Sequence, residues 1–223
     1  MGAAIGDILP LALGIAISPI PIIAAILMLL SPKARVTSVG FLLGWVAGIV
    51  IAVTVFTLLS SVLPGGDASE SNPVTGVIHL LLGVLLVLLA LRQWRHRPKA
   101  GAEPALPKWM QAIDHVTFPK ALGLGFLLSA VNPKNLLLAA AAGNDIGGAD
   151  LDTGSIAATI AVFTLIAAST ILIPVVGYLI AASKLEGPLT SLRGWLAKEN
   201  AVIMAVLLLV IGADVIGKGI AAF

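Results

Sequence analysis

The 223-residue chain has no cysteine, which excludes disulfides and any thiolate metal site. It is also poor in charge. Asp, Glu, Lys and Arg together make up 11% of it, where a soluble domain carries about 25%. That deficit, with 59% hydrophobic residues and a mean hydropathy of +1.08, makes lipid the main solvent. No basic residue precedes the first apolar stretch; the first is Lys33. A secretory signal needs a positive region ahead of a short apolar core, so none is expected and the N-terminus should be retained. There is no Gly-x4-Gly-Lys-Ser/Thr, hence no sign of nucleotide-driven pumping. There is no His-x4-Asp, His-Glu-x2-His or Gly-x-Ser-x-Gly either, so nothing marks a lipid-cleaving enzyme. His79, His96 and His115 are scattered and lack metal-site spacing. No enzyme activity, cofactor or metal is expected.

What the chain does have is long apolar runs. A spanning helix needs about 20 mostly apolar residues. Six runs qualify: residues 4–30, 39–62, 74–91, 121–142, 155–182 and 201–220. They are continuous rather than alternating, which favours helices over a membrane β-barrel.

The connecting segments set an orientation. Segments 31–38, 92–120 and 183–200 carry Lys33, Arg35, Arg92, Arg95, Arg97, Lys99, Lys108, Lys120, Lys184, Arg193 and Lys198. Segments 63–73 and 143–154 carry no Lys or Arg, only Asp67, Glu70, Asp145, Asp150 and Asp152. Basic residues in short loops stay cytoplasmic. The expectation is a multi-pass protein of the cytoplasmic membrane with both termini outside. Trp94, Trp109, Trp195 and Tyr178 fall on the basic side, as headgroup-level aromatics do. Trp109, Ile113 and Val116 share one helical face, as do Leu189, Leu192 and Leu196. Both segments read either as short helices lying on the membrane or as ordinary connecting helices.

The two halves of the chain resemble each other. Ala12-Leu13-Gly14 is matched by Ala121-Leu122-Gly123, and Ser18-Pro19-Ile20-Pro21 by Asn132-Pro133-Lys134-Asn135. Three spans per half force opposite orientations, the inverted-repeat plan of many secondary transporters. The expected fold is therefore all-α, with six transmembrane helices as two inverted three-helix repeats. Residues 1–93 form the first repeat, 94–118 a basic cytoplasmic loop and 119–223 the second repeat.

Within this plan the first and fourth helices should be broken. Proline removes a backbone donor and clashes one turn back, and in hydrocarbon each freed polar group must be satisfied. Pro19 and Pro133 lie about 15–22 Å into their helices, near mid-membrane. Ser18, Pro19, Pro21, Asn132, Pro133, Lys134 and Asn135 thus form a candidate substrate site; the alternative is a pair of kinked helices with no ligand. A Lys at that depth costs at least about 2.5–3.5 kcal/mol, so Lys134 is the residue of greatest interest. An acidic or phosphate-bearing head group would suit it. Asp214 and Lys218 are spaced to pair on the last helix. Asp214 is the ion-coupling candidate and a possible counter-ion for Lys134. Asn144 and Asp145 mark an outer helix end, and His79 is read as structural. Gly40, Gly44 and Gly48 stack on one helix face, a packing signal within the chain or for a homo-oligomer. Pro174 and Gly177 permit a hinge.

The stretch AISPIPIIAAILMLLSPKAR, from Ala16 to Arg35, resembles the GAP family of peptidoglycolipid- and sulfolipid-addressing proteins, within the lysine-exporter (LysE) superfamily. Gly40-Phe41-Leu42-Leu43-Gly44-Trp45 and Asn132-Pro133-Lys134-Asn135 fit the same resemblance, which covers nearly the whole chain. It implies a six-helix exporter moving a glycolipid, lipid or small amphiphilic metabolite outward. The spans hold few acidic residues, which argues against a cationic amino acid as cargo. The expected partners are membrane lipids and a small-molecule or glycolipid substrate, with no nucleic acid. The competing roles are a non-transporting scaffold of a lipid-export complex and a lipid-acting membrane enzyme.

Overall fold

The structure is a computed structural model that describes residues 1–62, 73–97, 113 and 116–223. Expectations for Asp67, Glu70, Lys99, Lys108, Trp109 and His115 lie outside the described residues. Among those described, all regular structure is helical. The elements are α1 (Gly2–Ala16), α2 (Pro19–Leu29), α3 (Ala34–Val62), α4 (Pro73–Arg95), α5 (Phe118–Ala130), α6 (Pro133–Gly148) and α7 (Thr153–Ala221). Ala181 has non-helical backbone angles and bends α7 into two arms, Thr153–Ala182 and Lys184–Ala221.

Four helices are long and apolar enough to cross a bilayer: α3, α4 and the two arms of α7. Two further pairs qualify only together. α1 and α2 meet at 54°, and α5 and α6 at 61°. Large apolar side chains such as Leu58, Leu81, Leu165, Ile173 and Val210 stand exposed around the bundle. In water they would be a liability; against lipid they are the solvent-facing surface of a membrane protein.

Both bends have the same local cause. Each second helix opens with proline at its first position, where the missing N–H costs nothing, preceded by an extended N-cap residue, Ser18 or Asn132. The bend expected at Pro174 or Gly177 is displaced: Pro174 stays inside the first arm, and the irregular residue is Ala181. Segment 183–200, read as a loop holding a short helix, is continuous with the last span in the second arm, Lys184–Ala221. Pro188 sits near its start, where it removes a single helical hydrogen bond. Leu189 and Leu196 of that segment are buried in the core and Leu192 is exposed.

The core runs through the middle of the bundle, around Phe41, Trp45, Phe163 and a band of Ile, Leu and Ala from α1, α2, α6 and α7. Phe41 and Trp45 stack at 6.4 Å. Helices approach closely where glycine permits it. The Gly40, Gly44 and Gly48 face is filled by α5 of the same chain, where Cβ atoms would meet Phe118, Leu122 and Ser129. That face is thus used for packing within the chain. Gly83 of α4 and Gly212 of α7 press on each other's carbonyl oxygens in the same way.

The start of α7 is held by Asp152. Its carboxylate accepts from the Gly154 and Ser155 amides at 2.9 and 3.1 Å, and from Ser155 Oγ at 2.6 Å. The Ser155 hydroxyl first, then these amides, hold the carboxyl below its ordinary range. A depressed folded-state value stabilises the helix start above the unfolded carboxylate's range and loses that effect as pH falls through the folded value. Asp152→Ala should therefore speed amide hydrogen exchange over residues 153–157 at neutral pH, and the difference from the parent protein should vanish in acid.

Candidate functional site

The break between α1 and α2 frees the last carbonyls of α1, and each acquires a new donor. Lys134 Nζ donates to Gly14 O at 2.7 Å. Ser18 Oγ donates to Ile15 O at 2.7 Å. Ala16 O accepts from Ser18 N at 2.9 Å and from Thr170 Oγ1 at 2.6 Å. The Lys134 ammonium also donates to Ser18 Oγ. A positive charge thus sits at the C-terminal end of a half-helix, where the macrodipole is negative.

The second break is organised from its own side. Asn132 caps α6 by accepting from Lys134 N at 3.0 Å. Asn135 Nδ2 donates to Leu128 O at 3.1 Å, satisfying a carbonyl freed at the end of α5. Asn135 Oδ1 is buried without a partner. The two breaks meet through Lys134, which comes from α6 and bonds to α1. It is only 7% exposed and has no carboxylate within ion-pair distance among the described residues.

Beside the junction lies a cavity of 270 Å³. Ser18, Pro19, Pro21, Asn132, Pro133 and Lys134 line it, six of the seven residues expected from the sequence. Asn135 does not; it braces the α5 end instead. The cavity extends to Arg92 and Gln93 at the basic end of α4 and to Asn200 of α7, whose Oδ1 is buried and unpartnered. Leu89, Met204 and Leu208 form its apolar wall. Arg92, Gln93 and Asn200 were not singled out from the sequence, since each sits at a polar helix end where such residues are ordinary.

Asp214 stands apart. It is exposed and does not pair with Lys218. Lys218 Nζ turns to Asp145 Oδ2 at 2.8 Å, and to the carbonyl and carboxylate of Asp7 at 2.8 and 3.7 Å. Four-residue spacing brings two side chains to one face but does not exclude a better partner from another helix. The Lys134 counter-charge is likewise not Asp214 but the α1 terminus.

Asn144 and Asp145 lie at the end of α6, as expected, and His79 of α4 joins them. His79 Nε2 lies 2.6 Å from Asp145 Oδ1 and 3.3 Å from Asn144 Nδ2, and Ser60 Oγ donates to Asn144 Oδ1 at 3.3 Å. This polar cluster closes the acidic end of the bundle.

α1 packs along α6 and α7, α2 on α3 and α7, and α5 chiefly on α3; α2 and α5 share no extended contact. The half-helices are together at the acidic end and apart at the basic end, where the cavity lies.

No curated protein and no solved structure matches the chain. The family model described as Sap, sulfolipid-1-addressing protein, matches residues 8–221. With nearly its whole length matched, the chain belongs to the sulfolipid-1-addressing protein family.

Proposed function

We infer that the chain is a six-pass secondary exporter of the cytoplasmic membrane, within the lysine-exporter superfamily. Each bent pair counts as one span, and the halves 1–93 and 119–223 form inverted repeats joined by a basic cytoplasmic segment. The cargo is an amphiphile with an anionic, hydroxyl-bearing head, of which a sulfated glycolipid is the example that the family description suggests. The observation that carries this reading is Lys134: a buried ammonium with no carboxylate partner among the described residues, on a cavity wall where two broken helices meet.

The chemistry follows from the donors present. An ammonium has three hydrogens; two are held by Gly14 O and Ser18 Oγ, and the third is free for a sulfate, phosphate or carboxylate oxygen. Arg92 and Gln93 add donors at the basic mouth, and Asn200 Oδ1 offers an acceptor for a hydroxyl. Small-molecule sites commonly measure about 300–1,000 Å³, so 270 Å³ suits a head group alone. Acyl chains would stay in the apolar phase.

With basic loops cytoplasmic, the cavity faces the cytoplasm and the acidic end is shut. Rocking one half against the other would carry the head group across. The chemistry is binding and movement rather than bond cleavage. The scaffold alternative loses its main support, because the glycine face is filled from within.

The test is reconstitution of the purified protein alone in liposomes with a short-chain fluorescent sulfated glycolipid. Transporter-dependent transfer between leaflets is expected, matched in cells by loss of an envelope lipid when the gene is deleted. A protein that moves no amphiphile, with an unchanged envelope lipid profile after deletion, would refute the reading.

A further inference from the structure

We propose that His79 and Asp145 form the proton-carrying site of the export cycle, locked by Lys218 while the cavity faces the basic end. This rests on the exporter reading above and adds the coupling ion and its residues.

The cluster is built from five elements: Asp7 of α1, Ser60 of α3, His79 of α4, Asn144 and Asp145 of α6, and Lys218 of α7. The His79 and Asp145 side chains are 6% and 7% exposed. Lys218 and Asp7, at 22% and 54%, form a graded path from that buried pair to the surrounding water. Among the described residues, the charged groups facing the pair are thus Lys218 and Asp7, and α3 contributes the neutral Ser60.

Two proton placements fit the same heavy atoms. With the ring proton on Nε2, His79 donates to the Asp145 carboxylate, and Nδ1 is a buried lone pair without a partner. With one proton more, Nδ1 carries the ring proton and the Asp145 carboxyl donates to Nε2, which then also tolerates the Asn144 amide at 3.3 Å. A purely structural ion pair has no need of an orphan ring nitrogen. A site that gains and loses a proton does.

The step is simple. A hydronium from outer water transfers one proton to His79 Nδ1; its O–H bond breaks, an N–H bond forms, and water remains. The cluster, with Asp7 and Asp145 against Lys218, passes from a net single negative charge to neutral. Closed, that imidazolium is buried beside the Lys218 ammonium. Opened, it is hydrated. Closed, the new Nδ1–H has no acceptor; opened, water accepts it, so by linkage acid outside favours opening. Release reverses the step.

The mechanical link is α6. Lys134 lies in its first turn and Asp145 in its last, eleven residues apart, or about 16 Å along the axis. A movement of α6 that parts Asp145 from Lys218 also moves Lys134 relative to Gly14.

Because the chain has no native cysteine, a single thiol reports access without background. Ile8, next to Asp7 on α1, is fully buried. Alkylation of an Ile8→Cys variant in intact cells by a membrane-impermeant sulfonated maleimide would be measured against an exposed Gly2→Cys reference, which cancels the thiol's own pH dependence. The ratio should rise about tenfold from about pH 8 to about pH 5. It should be flat when His79→Gln or Asp145→Asn is added, each confirmed as folded by its elution in detergent. A flat ratio in the Ile8→Cys protein, or a retained slope in either double variant, overturns the proposal. The exporter reading is scored separately by glycolipid transfer with Lys134→Met: lost transfer with a flat ratio removes the proton site alone, and retained transfer removes the exporter site whatever the ratio does.

Discussion

Lys134→Met should abolish amphiphile transfer while leaving the protein in the membrane at parental levels. Methionine keeps the length and apolar stem of the side chain and removes only the ammonium. Stability changes little because opposing effects are similar in size. The substitution removes a charge that costs at least about 2.5–3.5 kcal/mol at this depth. It also strips a donor from Gly14 O and Ser18 Oγ, and an unsatisfied buried acceptor costs about 1–3 kcal/mol. Function has no such offset. Among the described residues, the third ammonium hydrogen is the charged donor at the junction of the breaks, and losing a buried charged partner costs about 2–5 kcal/mol of binding. That corresponds to roughly 30- to 5,000-fold in affinity. Transfer in liposomes and quantitative blotting of membranes check both halves. Parental transfer by the Met variant would show that the head group binds elsewhere.

How much of this was legible in the residues differs by feature, for physical reasons. The spans follow from unbroken apolar runs, because lipid allows little else. The breaks follow from Pro19 and Pro133, because proline acts locally through its missing N–H. Lys134 is conspicuous because its cost does not depend on its neighbours. The His79–Asp145–Lys218 cluster was not legible. Its members lie on three different helices, each near a span end where one polar residue is cheap, and only packing joins them. The i, i+4 spacing of Asp214 and Lys218 pointed to a partner that tertiary contact overrode. The continuity of 183–200 with the last span was hidden for a related reason: Gly187, Pro188 and several charges carry a loop's composition, yet Leu189 and Leu196 gain a buried face that holds the helix unbroken. The seven-residue pairs Gly76/Gly83 on α4 and Gly212/Gly219 on α7 were equally silent, since a glycine's value to a neighbouring helix appears only once that helix is beside it.

The Gly40, Gly44 and Gly48 face leads to the second large effect, on assembly of the fold rather than on transport. A Cβ on Gly44 would lie 2.0 Å from the Leu122 carbonyl oxygen and 2.9 Å from Phe126 N. These are backbone atoms of α5 and cannot rotate aside. α5 returns the contact: a Cβ on Gly125 would lie 2.2 Å from Phe41 O. The two helices touch backbone to backbone at two interlocking points, so relief at one requires α5 to lift from α3 along its length. Overpacking costs typically about 1–3 kcal/mol and sometimes more, and in lipid no hydrophobic force pulls the separated helices back together. Gly44→Leu should therefore prevent stable assembly, seen as loss of the monodisperse peak in detergent chromatography. Gly44→Ala should lower the thermal midpoint markedly. Gly48→Ala should do less harm, because its closest neighbour is the Ser129 hydroxyl, a side-chain atom that can turn away. Gly123 is the control on α5 itself: a Cβ there meets nothing within 4 Å, so Gly123→Ala should be neutral or stabilising by about 0.5–1 kcal/mol through helix propensity. If Gly44→Ala and Gly123→Ala melt together, the close α3–α5 contact is not what holds this half of the bundle. If only Gly44→Ala falls, the glycine stripe is an internal seam, and the stability of the α5–α6 break that presents Lys134 depends on it.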